Sequence, residues 1–282
     1  MVEHRRFGNL FAYAILSIGV LIVAFPVYLC LIGSTHEQSV IANGQMPITP
    51  GGLFFETYYK TLFVGTSGTT REPVSGMLLN SFVMASVIAI GKIAISILSA
   101  YAVVYFKFPF RMTAFWLIFM TLMLPVEVRI YPTYKIAADL KMLDSYAGLT
   151  IPLIASATAT LFFRQFFMTI PDELIEASKL DGAGPWRFFK DTVLPLSKTN
   201  IAALFVILFI YGWNQYLWPL LITTRDDMQT IVIGIKKMIV TADALTEWNV
   251  VMATAMLAML PPVAVVILMQ RWFVKGLVET EK

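Results

Sequence analysis

Residues 77–106 read MLLNSFVMASVIAIGKIAISILSAYAVVYF, thirty positions with one charge, Lys92. A helix needs roughly 20 apolar residues to cross the ~30 Å hydrocarbon core of a bilayer. This block is long enough to span, and a helix satisfies its own backbone groups there. Outward from it, five more blocks share its character: residues 10–33, 112–131, 145–167, 200–221 and 250–270. The expected fold is all-α, a polytopic membrane protein with six transmembrane helices.

Composition agrees. Of 282 residues, 58% are hydrophobic and 14% charged, and the mean hydropathy is +0.73. A soluble domain carries about 25% charged residues. Six spans use ~120 residues, and seven tails and connectors share the rest, so no large soluble domain fits. A soluble enzyme, a disordered scaffold and a disulfide-framed secreted module are excluded. Net charge is +3 with no basic run, so nucleic acid is not an expected partner. The single cysteine, Cys30, lies inside the first block and leaves the redox compartment unread.

The basic head His4-Arg5-Arg6 is like the start of a signal peptide. The apolar stretch after it is longer than such a segment needs, and no Ala-x-Ala-like site closes it. The expectation is a tail over residues 1–9 and a retained helix, kinked at Pro26. Residues 34–76 are polar and rich in Gly, Thr and Pro, with Gly65-Thr66-Ser67-Gly68-Thr69-Thr70 at their centre. They read as a loop with a short helix over 54–62. With the N-terminus inside, the inner segments hold twelve Lys and Arg and the outer ones eight, Lys92 lying within the second span. The positive-inside bias then puts both termini in the cytoplasm.

The connector of residues 168–199 has a definite local shape. Pro171 suits a first helical position. Asp172 and Glu173 fall in the first turn, where the helix dipole favours anions. Leu174, Ile175, Ala177, Ser178 and Leu180 carry the helix on, and Gly182 suits the left-handed cap. Pro185 opens a second short helix that Pro195 ends. The product is a cytoplasmic helix–turn–helix, either an amphipathic connector on the lipid surface or a docking element for a cytoplasmic partner.

Glu176-Ala177-Ser178, Asp181-Gly182-Ala183, Phe189 and Leu194-Pro195 resemble the EAA loop of binding-protein-dependent ABC importer permeases, over residues 171–196. Two positions depart from that pattern: Ser178 stands where a second alanine is usual, and Thr192 where an aliphatic residue is usual. The six-span layout resembles the sugar-type, maltose-permease-like subfamily over essentially the whole chain. Residues 122–130 (LMLPVEVRI), 142–149 (MLDSYAGL), 163–168 (FRQFFM) and 211–220 (YGWNQYLWPL) are similar to its sn-glycerol-3-phosphate branch.

The resemblance implies a multi-pass subunit of the bacterial inner membrane, surrounded by lipid. It implies a heterodimer with a second permease subunit, two ATPase subunits in the cytoplasm, and a periplasmic substrate-binding protein. Coupling to the ATPase would fall to Glu176, Ala177, Ser178, Asp181, Gly182, Ala183, Leu194 and Pro195. No Gly-x-x-x-x-Gly-Lys-Ser/Thr stretch is present. ATP and Mg would therefore sit on the partner ATPase, with no cofactor on this chain. The implied substrate is sn-glycerol-3-phosphate, with glycerophosphodiesters as further candidates. A neutral di- or oligosaccharide is the alternative within the class, and an ion-coupled secondary carrier the alternative outside it. An intramembrane enzyme would need a catalytic or metal-ligand set in the spans, and His4 and His36 both lie outside them.

Polar residues at membrane depth are the candidates for the substrate path. A lysine such as Lys92 costs about 2.5–3.5 kcal/mol at a span centre on insertion scales. It either pairs with a neighbouring helix or faces the translocation cavity. Glu127 and Arg129 lie between Pro125 and Pro132, a spacing expected to break the helix. They are either a mutual contact at the outer interface or cavity groups, Arg129 being suited to a phosphate. Trp213, Tyr216 and Trp218 fit an interfacial aromatic belt, while Asn214 and Gln215 want partners in hydrocarbon and suit a polyol hydroxyl, as does Tyr216. The 15 methionines read as packing filler. Residues 223–249 read as a solvated connector; in maltose-type relatives a loop in this position reaches towards the binding protein.

Overall fold

The structure, a computed structural model, describes residues 6–65, 72–239 and 246–278. His4, Arg5, the stretch 66–71, Asp243 and Lys282 lie outside the described residues. Helices and turns make up what is described, with no strand among those residues. Among the described residues, three helices are long and apolar enough to cross a membrane: Leu10–Gly33, Val74–Tyr105 and Trp248–Gln270. The number rises to six when each of three bent helix pairs counts as one span. The chain divides into two compact units, Met1–Gly76 with Gly234–Leu260, and Met77–Ile233 with Pro261–Lys282.

In the first unit, helix Arg6–Gly33 runs through Pro26 without a break. Leu16, Val20, Leu21 and Val23 are exposed on its different faces. An apolar helix bare all round needs lipid or another apolar surface about it. Its C-terminal end is held: Gly33 lies against the Met252 side chain, and the Cys30 thiol faces Met252 O at 3.5 Å. The polar segment that follows is ordered by specific bonds. Tyr28 OH donates to Ile48 O at 2.6 Å, Gly51 N–H to Thr35 Oγ1 at 2.7 Å, and Gln38 Nε2 to Thr246 O at 3.1 Å. Lys60 Nζ meets Glu247 Oε2 at 2.6 Å. The helix expected over 54–62 is Phe54–Tyr59, continuing as a π-helical turn over Lys60–Val64.

In the second unit, three of the expected spans are broken, each at a proline or a cap. Residues 111–139 form Arg111–Met123 and Val128–Asp139, meeting at 105°. Leu124 is extended, as steric contact with the following Pro125 requires. The expectation that Pro125 and Pro132 together prevent a helix is corrected: Pro125 caps helix Val126–Asp139 and Pro132 lies inside it. An internal proline removes one backbone bond, and the rest of this helix forms around the loss. Residues 146–167 bend by 48° between Leu153 and Ala157. There Ser156 Oγ accepts the Ala159 N–H at 3.2 Å and starts a new helix. The fifth block is not one helix over 200–221. Helix Lys198–Trp213 ends, and Leu217–Ile222 begins after a turn at Asn214-Gln215-Tyr216. Pro219 has no N–H to offer Gln215 O, which weakens a continuous helix at this point.

The core of this unit gathers Met84, Ile88, Ala137, Leu149, Trp218 and Ile222. Trp213 and Trp218 are each 3% exposed, so they are core residues and not an interfacial belt. The Trp218 indole donates to Gly148 O at 3.0 Å, and Trp213 stacks on Phe209 with centroids 5.8 Å apart. Burial is stable here because the one polar atom of Trp218 has a partner.

The connector after residue 223 is also more ordered than expected. Gln229, Thr230 and Ile231 are buried. Asn80 Nδ2 donates to Asp227 O at 2.8 Å and to Gln229 O at 3.0 Å, and Tyr146 OH donates to Asn80 Oδ1 at 2.6 Å. The Asp144 carboxylate accepts Thr224 Oγ1 at 2.6 Å, Thr224 N–H at 2.5 Å and Arg225 N–H at 2.9 Å. The Thr224 hydroxyl, ahead of the two backbone donors, holds this carboxyl below its ordinary pKa. A depressed native pKa means stability present above the unfolded value, ~3.9 for Asp, and lost as pH falls through the native one. Asp144→Ala is therefore expected to cost about 1 kcal/mol at neutral pH, solvent screening included. The difference from wild type should vanish on acidification below the native pKa. Thermal unfolding in detergent across that pH range checks it; a difference that persists would mean the carboxylate is not what matters.

Candidate functional site

The segment 171–196 projects a helix with no buried residue. Helix Asp172–Leu180 has Pro171 as its N-cap, one position earlier than the sequence suggests, and carries Asp172 and Glu173 in its first turn. Its C-terminus closes in a full Schellman motif: Ala183 N–H donates to Ser178 O and Gly182 N–H to Lys179 O, both at 3.0 Å. Gly182 takes φ +68. Glu176, Ala177, Asp181 and Gly182 are exposed, and Ser178 and Ala183 half-buried. Leu180 is 89% exposed, an apolar side chain bare at the tip of a polar turn.

The second half is anchored where the first is free. Pro185–Phe188 is α-helical, Phe189–Val193 π-helical and Leu194–Leu196 α-helical. Pro195 thus does not end the helix. The π turn before it, where Leu194 N–H donates to Phe189 O, is wider than an α turn and accommodates the ring. The chain instead bends by 69° into helix Lys198–Trp213, at Ser197, whose hydroxyl donates to Val193 O at 2.6 Å. Phe188, Phe189 and Val193 are buried. Tyr101 OH donates to Pro185 O at 2.7 Å and its ring lies 4.9 Å from Phe189; the Tyr105 ring lies 5.4 Å from Phe188. A free helix is thereby tied through Gly182–Gly184 to an aromatic clamp on helix Val74–Tyr105. That arrangement can pass a push on the exposed helix into the membrane core.

At membrane depth, Lys92 is 7% exposed. Its Nζ lies 3.9 Å from the Tyr211 ring centroid, a cation–π contact. Arg129 is an exposed residue of helix Val126–Asp139. Asn214 and Tyr216 are exposed and Gln215 half-buried, its Nε2 donating to Tyr211 O at 3.3 Å. The Glu127 side chain lies outside the described residues.

The family model for binding-protein-dependent transport system inner membrane components matches residues 92–279. The chain belongs to this family. Three relatives of this family are each named sn-glycerol-3-phosphate transport system permease protein UgpE. Those of Rhizobium meliloti and Brucella melitensis are 58% identical to this chain, and that of Yersinia pestis bv. Antiqua 57%, each over 100% of both chains. Among solved structures, one chain from a bacterial ABC transporter involved in the import of the acidic polysaccharide alginate shares the fold. Its TM-score is 0.81 at 19% identity, over 97% of this chain and 99% of that one.

Within this inner membrane component, the matched region takes in the projecting loop, Arg129 and the 214–216 turn, and begins at Lys92. Sequence reading did not find Tyr101 and Tyr105. They are four residues apart on one helical face, an i,i+4 pair, and that spacing of two hydroxyl-bearing rings at the end of a span was the available signal. Trp186 was likewise passed over. It is 68% exposed and, with Ile93, Ile97, Phe189, Leu194 and Phe205, lines an apolar groove of about 430 Å³ beside the loop. Ser178 tolerates its departure from the family pattern because the Schellman bond uses its backbone oxygen.

Proposed function

We propose that this chain is one permease subunit of an ATP-driven importer for sn-glycerol-3-phosphate, both of its termini in the cytoplasm. The observation that carries this reading is identity of 57–58% from end to end with relatives named for that transport. It forms half of a translocation path with a second permease subunit. A periplasmic binding protein delivers substrate, and two ATPase subunits hold ATP and Mg. The exposed helix Asp172–Leu180 and its Gly182 turn seat in one ATPase subunit. Closure of the ATPase pair moves that loop as a rigid body, and the clamp at Tyr101, Tyr105, Phe188 and Phe189 carries the motion to helix Val74–Tyr105. The cavity opens outward to take substrate; hydrolysis and release return it.

The test is purification of the tagged chain from its host in mild detergent, identification of what accompanies it, and reconstitution with candidate binding proteins. Uptake of sn-glycerol-3-phosphate is expected only with the ATPase partner, the binding protein and ATP all present. Transport by the isolated chain without nucleotide would end this reading in favour of a secondary carrier.

A further inference from the structure

We infer that residues 54–64 form an interfacial anchor: a helix lying in the lipid headgroup layer on the side away from both termini, with the row Phe55, Tyr59 and Phe63 set among the lipid chains. The inference stands on the membrane spans and does not need the proposed substrate.

The helix is built inside out. Phe54–Tyr59 is α-helical and Lys60–Val64 continues it as a π turn. Phe55, Tyr59 and Phe63 follow at four-residue intervals, the spacing that shares a helical face, and the Tyr59 and Phe63 rings lie 5.3 Å apart. These three residues are 85%, 64% and 62% exposed. Thr57 and Thr61, two positions to either side of Tyr59 and so on the opposite face, are buried. Thr61 Oγ1 donates to Thr57 O at 2.7 Å. Against water the rings would turn inward and the hydroxyls outward. A helix that presents three rings and hides two threonines faces an apolar medium.

Contacts on the buried side fix its level. Leu53 N–H donates to Thr35 O at 3.0 Å, and the Tyr58 hydroxyl lies 3.2 Å from Ser34 Oγ. Ser34 and Thr35 directly follow helix Arg6–Gly33. Lys60 Nζ meets Glu247 Oε2 at 2.6 Å, and Glu247 directly precedes helix Trp248–Val278. Leu53 to Lys60 is about 10 Å of chain at the helical rise, and all of it is held where these two spans end. The helix therefore runs across the spans at the membrane–water boundary and does not extend away from it.

The surroundings specify lipid as the occupant. Glu56 and Lys60 each come one position after a ring of the row, and Phe54, Tyr58 and Leu62 each come one position before. The row is thus bordered by charge on one flank and by apolar groups on the other, the cross-section of a helix lying in an interface plane. Aromatic rings are the side chains that this depth favours. The apolar surface is also continuous with a span. Tyr28, exposed on helix Arg6–Gly33, donates its hydroxyl to Ile48 O, and Ile48 is exposed as well.

The test uses the complete transport complex in liposomes, with Cys30→Ser and partner subunits free of cysteine. A nitroxide is attached at Phe55→Cys, Tyr59→Cys, Phe63→Cys or Glu56→Cys, one at a time. Its collision rates with oxygen, which concentrates in lipid, and with a water-soluble nickel chelate are read by spin resonance. The oxygen-to-nickel ratio is expected to be severalfold higher at the three row positions than at Glu56. An equal ratio at all four would put the row in water and overturn the anchor. An immobilised label at the row that meets neither reagent would put a protein surface there, the second permease subunit or a binding protein, and overturn it equally. Co-purification of the partner subunits controls for assembly; if one row variant fails to assemble, the other two decide.

Discussion

Gly182→Asp is expected to cut ATP-driven uptake about tenfold or more with the chain still folded and inserted. Gly182 has φ +68, and a Cβ built on it meets nothing within 4 Å. A non-glycine residue in this conformation costs roughly 1–2 kcal/mol, with Asp tolerated better than most. That is small beside a domain stability of about 5–15 kcal/mol. The chain itself has room for the side chain. The space it enters lies beside the exposed Asp181 and Leu180, on the surface assigned to the ATPase subunit. A carboxylate there puts bulk and a second negative charge into the seat. Uptake, thermal unfolding in detergent and co-purification of the ATPase separate the two effects. The expected pattern is lost uptake with an unfolding temperature close to wild type. Gly182→Ala, which adds the strain and little bulk, should be milder. Normal uptake by the Asp variant would remove this turn from the coupling surface.

The second large effect lies inside the membrane. Gly212→Leu is expected to prevent accumulation of folded protein, or to cost about 3 kcal/mol or more, the upper range for overpacking. A Cβ on Gly212 would lie 2.8 Å from Ala85 Cα and 3.4 Å from Ala85 O. Helices Val74–Tyr105 and Lys198–Trp213 therefore approach backbone to backbone, and small residues at both positions allow it. Backbone atoms cannot swing aside as a side chain can. An isobutyl group there forces the helices apart. It separates Phe82 from Phe209, whose rings are 5.9 Å apart, and Lys92 from Tyr211. Gly212→Ala should be destabilised in the same sense by less. Folded yield by size exclusion and the unfolding temperature are the measurements. A Leu variant as abundant and stable as wild type would show that the two helices do not pack this closely.

The membrane class and the projecting loop were legible from residues alone, because both depend on local sums. A run of apolar residues longer than the hydrocarbon is thick settles the environment of Val74–Tyr105 wherever its partners are. The turn after Leu180 needs only a residue that tolerates positive φ, and Gly182 supplies it. The prolines were read less well. Pro125 and Pro132 suggested a broken segment, yet Pro132 sits inside a helix that loses one hydrogen bond and keeps the others. Pro195 suggested an end, and the π turn before it let the helix continue to Leu196.

What length and local chemistry determined, then, is that this polypeptide lives in lipid as apolar helices and extends a capped, charged helix beyond them. Tertiary structure decided which aromatic residues are core and what stands beside the buried lysine. Trp213 and Trp218 look like interface residues until Phe209 and Gly148 O are found beside them. Lys92 has the face of Tyr211 beside it, brought from a helix far away in the chain. Spacing along one helix tells which face a residue occupies. What stands opposite that face depends on how other helices cross it, and their crossing is set at contacts such as Gly212 on Ala85, where two glycine-and-alanine surfaces let backbones approach.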